Sequence, residues 1–202
     1  MVYCLSKYVL WPLFSLFVRK INGLENIPEK PCIFVSNHQS YADGALLIML
    51  IAWHKNRKIY ALATNEKFTG LFWNLIFNHF GAIRVNGSVE KALQKLKEGH
   101  DLAIFPEGGR CYIEQIQPVT HKGLGIIVVK TKTQVVPVGI DTYHFWNRFH
   151  ILPNFKNNIA INIGKPIIFK QKSGSRAINN VITQTMTEVK HLARISHNQA
   201  IA

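Results

Sequence analysis

Residues 32–43 read CIFVSNHQSYAD, and the fold follows from how that stretch divides. Cys32 to Ser36 is a short unbroken apolar run, the pattern of a buried strand. Asn37 to Asp43 is polar, and from Ala42 to Trp53 the chain is apolar over a helical length. Strand, polar turn and helix make one unit of an α/β sheet, and open sheets of that kind place their sites beyond the carboxyl ends of strands. The polar turn is therefore the first place to seek chemistry.

The same alternation continues along the chain. Lys58 to Ala63, Ala82 to Val85, Asp101 to Phe105 and Ile159 to Ile163 read as strands. Gln134 to Ile140 reads as another, with Pro137 pointing to an edge or strand-end position. Gly70 to Phe80 is aromatic and reads as helical, as does Lys122 to Lys130. Ser88 to Glu98 is the clearest amphipathic helix, with Val89, Ala92, Leu93 and Leu96 on one face, Ser88 as cap and Gly99 as stop. A last helix over about 175–195 carries Ile178, Val181, Ile182, Met186 and Val189 on one face.

Composition bounds the answer. A chain of 202 residues fits one domain that buries its own core, and 48% hydrophobic against 17% charged residues excludes disorder. Lys and Arg number 24 against 11 Asp and Glu, a net charge of +13 that calls for an anionic partner. The excess sits at the ends: no acid precedes Glu25, and after Asp141 the only acid is Glu188, against eight Lys and Arg. Three scattered cysteines (Cys4, Cys32, Cys111) without a CxxC pair point to a reducing compartment and away from a zinc ribbon.

Val9 to Val18 is apolar between Lys7 and Arg19-Lys20. It is short of the ~20 residues a bilayer span needs, and Pro12 would interrupt a helix. With no small-residue cleavage site following, it does not read as a signal peptide. Trp11, Phe14, Phe17 and the flanking cations suit a segment lying in a membrane interface; packing on the core is the other reading. We divide the chain into residues 1–20, a membrane-interface segment, and residues 21–202, the folded domain.

His38 and Asp43 are the first candidates for chemistry. Five residues apart, they would be turned about 140° from each other on a straight helix, so only a tight turn at the helix start brings them together. There the carboxylate would fix the imidazole tautomer, as in a hydrolase triad. The same residues also fit a plain helix N-terminus. The chain has no GxSxG elbow, so a His–Asp pair without a protein nucleophile points to a substrate hydroxyl as nucleophile.

The second constellation is Phe105-Pro106-Glu107-Gly108-Gly109-Arg110. Gly108 and Gly109 let backbone amides approach an oxyanion or phosphate, Arg110 can grip a phosphate, and Glu107 can accept from a hydroxyl. An ordinary turn with a Glu–Arg surface pair is the alternative. Arg84, inside a short apolar strand, needs a partner, either a phosphate or an acid such as Glu107.

Together these blocks resemble the 1-acylglycerol-3-phosphate acyltransferase (lysophospholipid acyltransferase) superfamily. NHQSYAD is similar to its NHxxxxD signature, GAIRV to its second block, FPEGGR to its FPEGTR block and VVPVGI to its fourth, in family order over roughly residues 20–170. The resemblance implies an α/β domain with a mainly parallel sheet flanked by helices, held on the cytoplasmic face of a membrane as a peripheral or monotopic protein. It implies acyl transfer from acyl-CoA or acyl carrier protein to a lysophospholipid hydroxyl, with 1-acylglycerol 3-phosphate the simplest acceptor. His38 would then be the general base and Asp43 its orienter. Glu107 and Gly108, with Gly109 beside them, would belong to the acceptor and transition-state site, and Arg84 and Arg110 would bind the acceptor phosphate. No metal and no redox cofactor is required; the thioester is a co-substrate.

The chain departs from the family pattern where Gly109 and Cys111 stand in place of a Thr and a Ser. That leaves other acceptors open (glycerol 3-phosphate, another lysolipid, a lyso-aminolipid), as well as a catalytically silent membrane-binding homologue. The expected partners are an anionic phospholipid surface and the acyl donor. Nucleic acid is not expected: residues 144–149 (HFWNRF) interleave aromatic and basic groups, but no helix-turn-helix, RRM or zinc-finger pattern accompanies them. No HExxH supports a metal hydrolase.

Overall fold

The computed structural model describes residues 4–63, 79–84, 88–110, 119, 121–146, 152–156, 158–170 and 174–201, with the side chains of Ala63, Arg84 and Ser88 excepted. Most of the helix expected over 70–80, together with Val85, Cys111 and residues 147–150, lies outside that set.

Among the described residues seven strands form one sheet: β1 (Val18–Asn22), β2 (Ile33–Ser36), β3 (Ile59–Ala63), β4 (Ala82–Arg84), β5 (Asp101–Ile104), β6 (Val135–Asp141) and β7 (Ile159–Ile163). Their order is β1-β7-β6-β2-β5-β3-β4. The β6–β7 pair is antiparallel and every other pair is parallel. The helices are α1 (Trp11–Ser15), α2 (Asp43–Lys55), α3 (Ser88–Lys97), α4 (Gly123–Thr131) and α5 (Ser175–Ile201).

The strands β2, β5, β6 and β7 are buried along their whole length, because helices cover both faces. Phe34, Val136, Val138 and Ile140 face α2 on one side, in a cluster that also holds Leu46 to Ala52. Ile33, Val35, Leu102 and Ile104 face α4 and α5 on the other, with Leu124, Ile127, Val181 and Val189. The long α5 lies directly on β6: a Cβ at Gly139 would sit 2.2 Å from the carbonyl carbon of Leu192.

Two expectations are corrected. Pro137 lies in an interior strand, between β7 and β2, and not at an edge. Its missing N–H costs nothing there. Val135 N–H donates to Ile167 O and Gly164 N–H donates to Pro137 O, so Pro137 nitrogen faces the point where β7 has ended. The chain also stays helical through Pro12: a π-helical turn at Ser6–Leu10 leads straight into α1, the Trp11 N–H reaching Ser6 O. A wider turn next to the proline relieves the ring's clash with the preceding turn.

Sequence reading missed β1. It carries exposed Arg19 and Lys20, which suits the sheet edge it occupies against β7. The boundary drawn at residue 20 falls inside this strand. Three aromatic side chains of the N-terminal segment turn inward: Trp11 is buried and stacks on Trp53 at 5.5 Å, while Phe14 and Phe17 pack on buried Phe145. Leu5, Tyr8, Val9, Leu13 and Leu16 are large apolar side chains that face outward. Among the described residues, no helix is long and apolar enough to cross a membrane.

At the amino ends of β2 and β5, Asp101 is buried with Arg57 Nε 2.9 Å from its Oδ2, and it accepts from the Cys32 backbone N–H at 2.9 Å. Burial pushes its carboxyl up, against the pull of Arg57. Burial, reinforced by Asp101, also pushes the Cys32 thiol well up, so this cysteine is inert.

Candidate active site

In sheet order β2 lies between β5 and β6, and all three are parallel. Their carboxyl ends gather Asn37 and His38, Phe105 and Glu107, and Thr142 in one place. The chain leaves β2 for β3 on one side of the sheet and later enters β6 on the other, so this is a topological switch point.

The turn after β2 is fastened to the end of β6. Asn37 Nδ2 donates to Ile140 O at 2.8 Å, and Ile140 N–H returns to Asn37 Oδ1 at 2.9 Å. Asn37 thus imitates a backbone pair and extends the ladder one step. Thr142 N–H donates to Gln39 Oε1 at 3.2 Å. The turn then reverses sharply, so that Asp43, the first residue of α2, faces back to His38.

Asp43 is fully buried, and its carboxylate is saturated with donors. Oδ2 accepts from Gln39 N–H at 2.6 Å, Ser40 N–H at 2.8 Å and His38 Nδ1 at 2.8 Å. Oδ1 accepts from the Thr142 hydroxyl. A buried charge is tolerated only with this kind of satisfaction. A carboxylate can only accept, so the bond places a proton on His38 Nδ1 and turns Nε2 away from Asp43. The His38 side chain is 23% exposed, enough to meet a substrate. Phe105 packs on its ring, centroids 4.7 Å apart.

Glu107 does not lie on the surface. It is buried, and its Oε1 accepts from the His38 backbone N–H at 3.0 Å. Gly108 sits at φ +71, the left-handed conformation that favours glycine, and its N–H closes a turn onto Phe105 O at 3.3 Å. That amide is therefore used by the turn itself. At Gly109 a Cβ would meet nothing within 4 Å. Arg110 lays its guanidinium over the Tyr41 ring, 3.8 Å from the centroid, and Tyr41 also meets Trp146. The backbone of Arg84 ends β4, two strands from β5, and its side chain lies outside the described residues.

The structure thus brings His38, Asp43, Glu107, Gly108, Gly109 and Arg110 to one corner. It adds Thr142, Phe105 and Tyr41, which sequence reading passed over. Tyr41 and Phe105 were inside the quoted blocks, but Thr142 follows its block by two residues and had no local signal. The aromatic run at 144–149 is no base-stacking platform at Phe145, which is buried against Phe14 and Phe17. Among the described residues no group of three or more His, Cys, Asp or Glu side chains is placed to hold a metal ion.

The site thus presents a partly exposed imidazole backed by a buried carboxylate at the switch point of an α/β sheet. The acyltransferase family model matches residues 18–141, and the chain belongs to that family. It is similar to the crystal structure of the 1-acyl-sn-glycerophosphate (LPA) acyltransferase PlsC from Thermotoga maritima, with a TM-score of 0.72 and 26% identity over 93% of this chain and 78% of that one. Among curated proteins it is 26% identical to the 1-acyl-sn-glycerol-3-phosphate acyltransferase of Pseudomonas aeruginosa, covering 88% of this chain and 73% of the relative. It is 30% identical to the protein of that name from Borreliella burgdorferi, covering 71% and 56%. The chain is thus an acyltransferase with the α/β fold that its four sequence blocks implied.

Proposed function

We propose that the protein moves a fatty acyl group from acyl-CoA or acyl carrier protein to the free hydroxyl of 1-acylglycerol 3-phosphate, giving phosphatidic acid. The observation that carries this reading is the His38 Nδ1–Asp43 Oδ2 bond of 2.8 Å, which leaves Nε2 as the base. Nε2 takes the hydroxyl proton as the acceptor oxygen attacks the thioester carbonyl. Asp43 stabilises the imidazolium that forms. The tetrahedral oxyanion then collapses, the carbon–sulfur bond breaks, and the imidazolium returns its proton to the departing thiolate. Only an acyl group and a proton move, so no metal or redox cofactor is called for.

Glu107, Gly108 and Gly109 line the acceptor side of this centre in our reading, and Arg110 and Arg84 receive the acceptor phosphate. The outward apolar residues Leu5, Tyr8, Val9, Leu13 and Leu16, with exposed Leu152 and Phe155, would rest in lipid. Phe155 meets Phe17 at 5.4 Å, so the two segments adjoin. With a net charge of +13, an anionic surface is the fitting partner and the cytoplasmic face of a membrane the fitting place.

The test is product analysis. Purified protein in detergent receives acyl-CoA or acyl carrier protein with lysophosphatidic acid, glycerol 3-phosphate, other lysophospholipids and a lyso-aminolipid. Phosphatidic acid from the first acceptor supports the reading. Transfer to another acceptor alone reassigns the substrate, and transfer to none contradicts it.

A further inference from the structure

Three residues of the turn that carries His38 are anchored to two residues at the end of β6, Ile140 within the strand and Thr142 just after it. Asn37 pairs with Ile140, Gln39 accepts from Thr142 N–H, and Asp43 accepts from the Thr142 hydroxyl. Thr142 is fully buried and lies 99 residues from Asp43 in sequence. The other donors to Asp43 all come from within the turn, at residues 38, 39 and 40, and all three bind Oδ2. Among the described residues only Thr142 binds Oδ1, and fixing both oxygens sets the plane of the carboxylate.

We propose that Thr142 is a positioning residue for the acyl transfer: its hydroxyl holds Asp43 so that Oδ2 stays aimed at His38 Nδ1. The role rests on the reading of His38 as the base. It gives the end of β6 a purpose beyond core packing, because the strand is the template on which the turn is set. The far side of the same segment is pinned as well. Asp141, buried beside Thr142, accepts from Tyr143 N–H at 3.0 Å and pairs with His197 Nδ1 of α5 at 2.7 Å. The segment is thereby tied to α5 through Asp141 and to the turn through Thr142.

The test compares Thr142→Val, which keeps the shape and removes the donor, with Thr142→Ser, which keeps the donor. The first readout needs no substrate: the downfield proton resonance of an imidazole N–H held against a carboxylate, assigned by its loss in His38→Gln. We expect it in the parent and in T142S, and we expect it shifted upfield or lost in T142V. The second readout is kinetic. T142V should lose about 10- to 100-fold in kcat with KM little changed, the cost of a misplaced base, and T142S should recover most of it. Should T142V fail to fold, Thr142→Cys, a weak donor of similar size, is measured against T142S in the same way. An unchanged resonance in T142V, or T142S as impaired as T142V, overturns the proposal. A parent protein inactive on every acceptor overturns the functional reading instead, while the resonance still decides the role of Thr142.

Discussion

The backbone N–H of His38 donates to Oε1 of buried Glu107 at 3.0 Å, tying the proposed base to the loop after β5. Glu107→Ala takes the acceptor from that partly buried N–H, which costs about 1 kcal/mol or more. Glu107→Gln keeps an acceptor oxygen. We expect urea unfolding to show E107A destabilised by about that amount and E107Q close to the parent. Equal stability of E107A and the parent would remove Glu107 as a brace.

The two adjacent glycines should behave oppositely. Gly108 is at φ +71, so Gly108→Ala is strained and should cost about 1 kcal/mol. Gly109 has open space where a Cβ would be, so Gly109→Thr should fold within about 0.5 kcal/mol of the parent. Thermal melts of the two variants check this; a G109T protein as unstable as G108A would contradict it.

The outward apolar side chains of the first helical segment give a membrane prediction. Leu13 is 54% and Leu16 67% exposed, so placing Glu at both should leave the fold intact. Sedimentation with anionic phospholipid vesicles should fall severalfold for the double variant and weaken with salt for the parent. Unchanged binding would place the contact elsewhere.

Stability should fall on mild acidification. Burial holds His54 and His100 below their ordinary value of 6.5, with Lys55 and Lys58 respectively adding to the effect. The unfolded chain therefore binds protons there before the folded one does, and the stability present above 6.5 is lost as pH falls through the lowered values. Tm should drop between about pH 7 and 5, and less so in a His54→Gln, His100→Gln protein. An identical slope in that variant would assign the loss to other groups.

Much of this molecule is legible in its sequence. Strands β2, β5 and β7 are buried on both faces, so their apolar runs announce them, and the NHQSYAD turn is marked by its own polarity. What escaped reading depends on partners far along the chain. β1 is half exposed and becomes a strand only against β7, 140 residues on by the Asn22–Asn162 bond. Pro137 is admissible in an interior strand only because β7 stops beside it. Trp11, Phe14 and Phe17 turn toward the core, the second of the two readings the segment allowed, and a count of aromatic residues does not choose between them. Thr142 reaches Asp43 through tertiary structure alone.

The central claim is that His38 removes the acceptor proton. The direct measurement is acyl transfer by His38→Ala beside the parent, with thioester consumption and lipid product followed together and folding checked by circular dichroism. We predict a folded H38A protein whose transfer rate falls by about 10²-fold or more. A folded H38A protein that transfers at the parent's rate would contradict the mechanism.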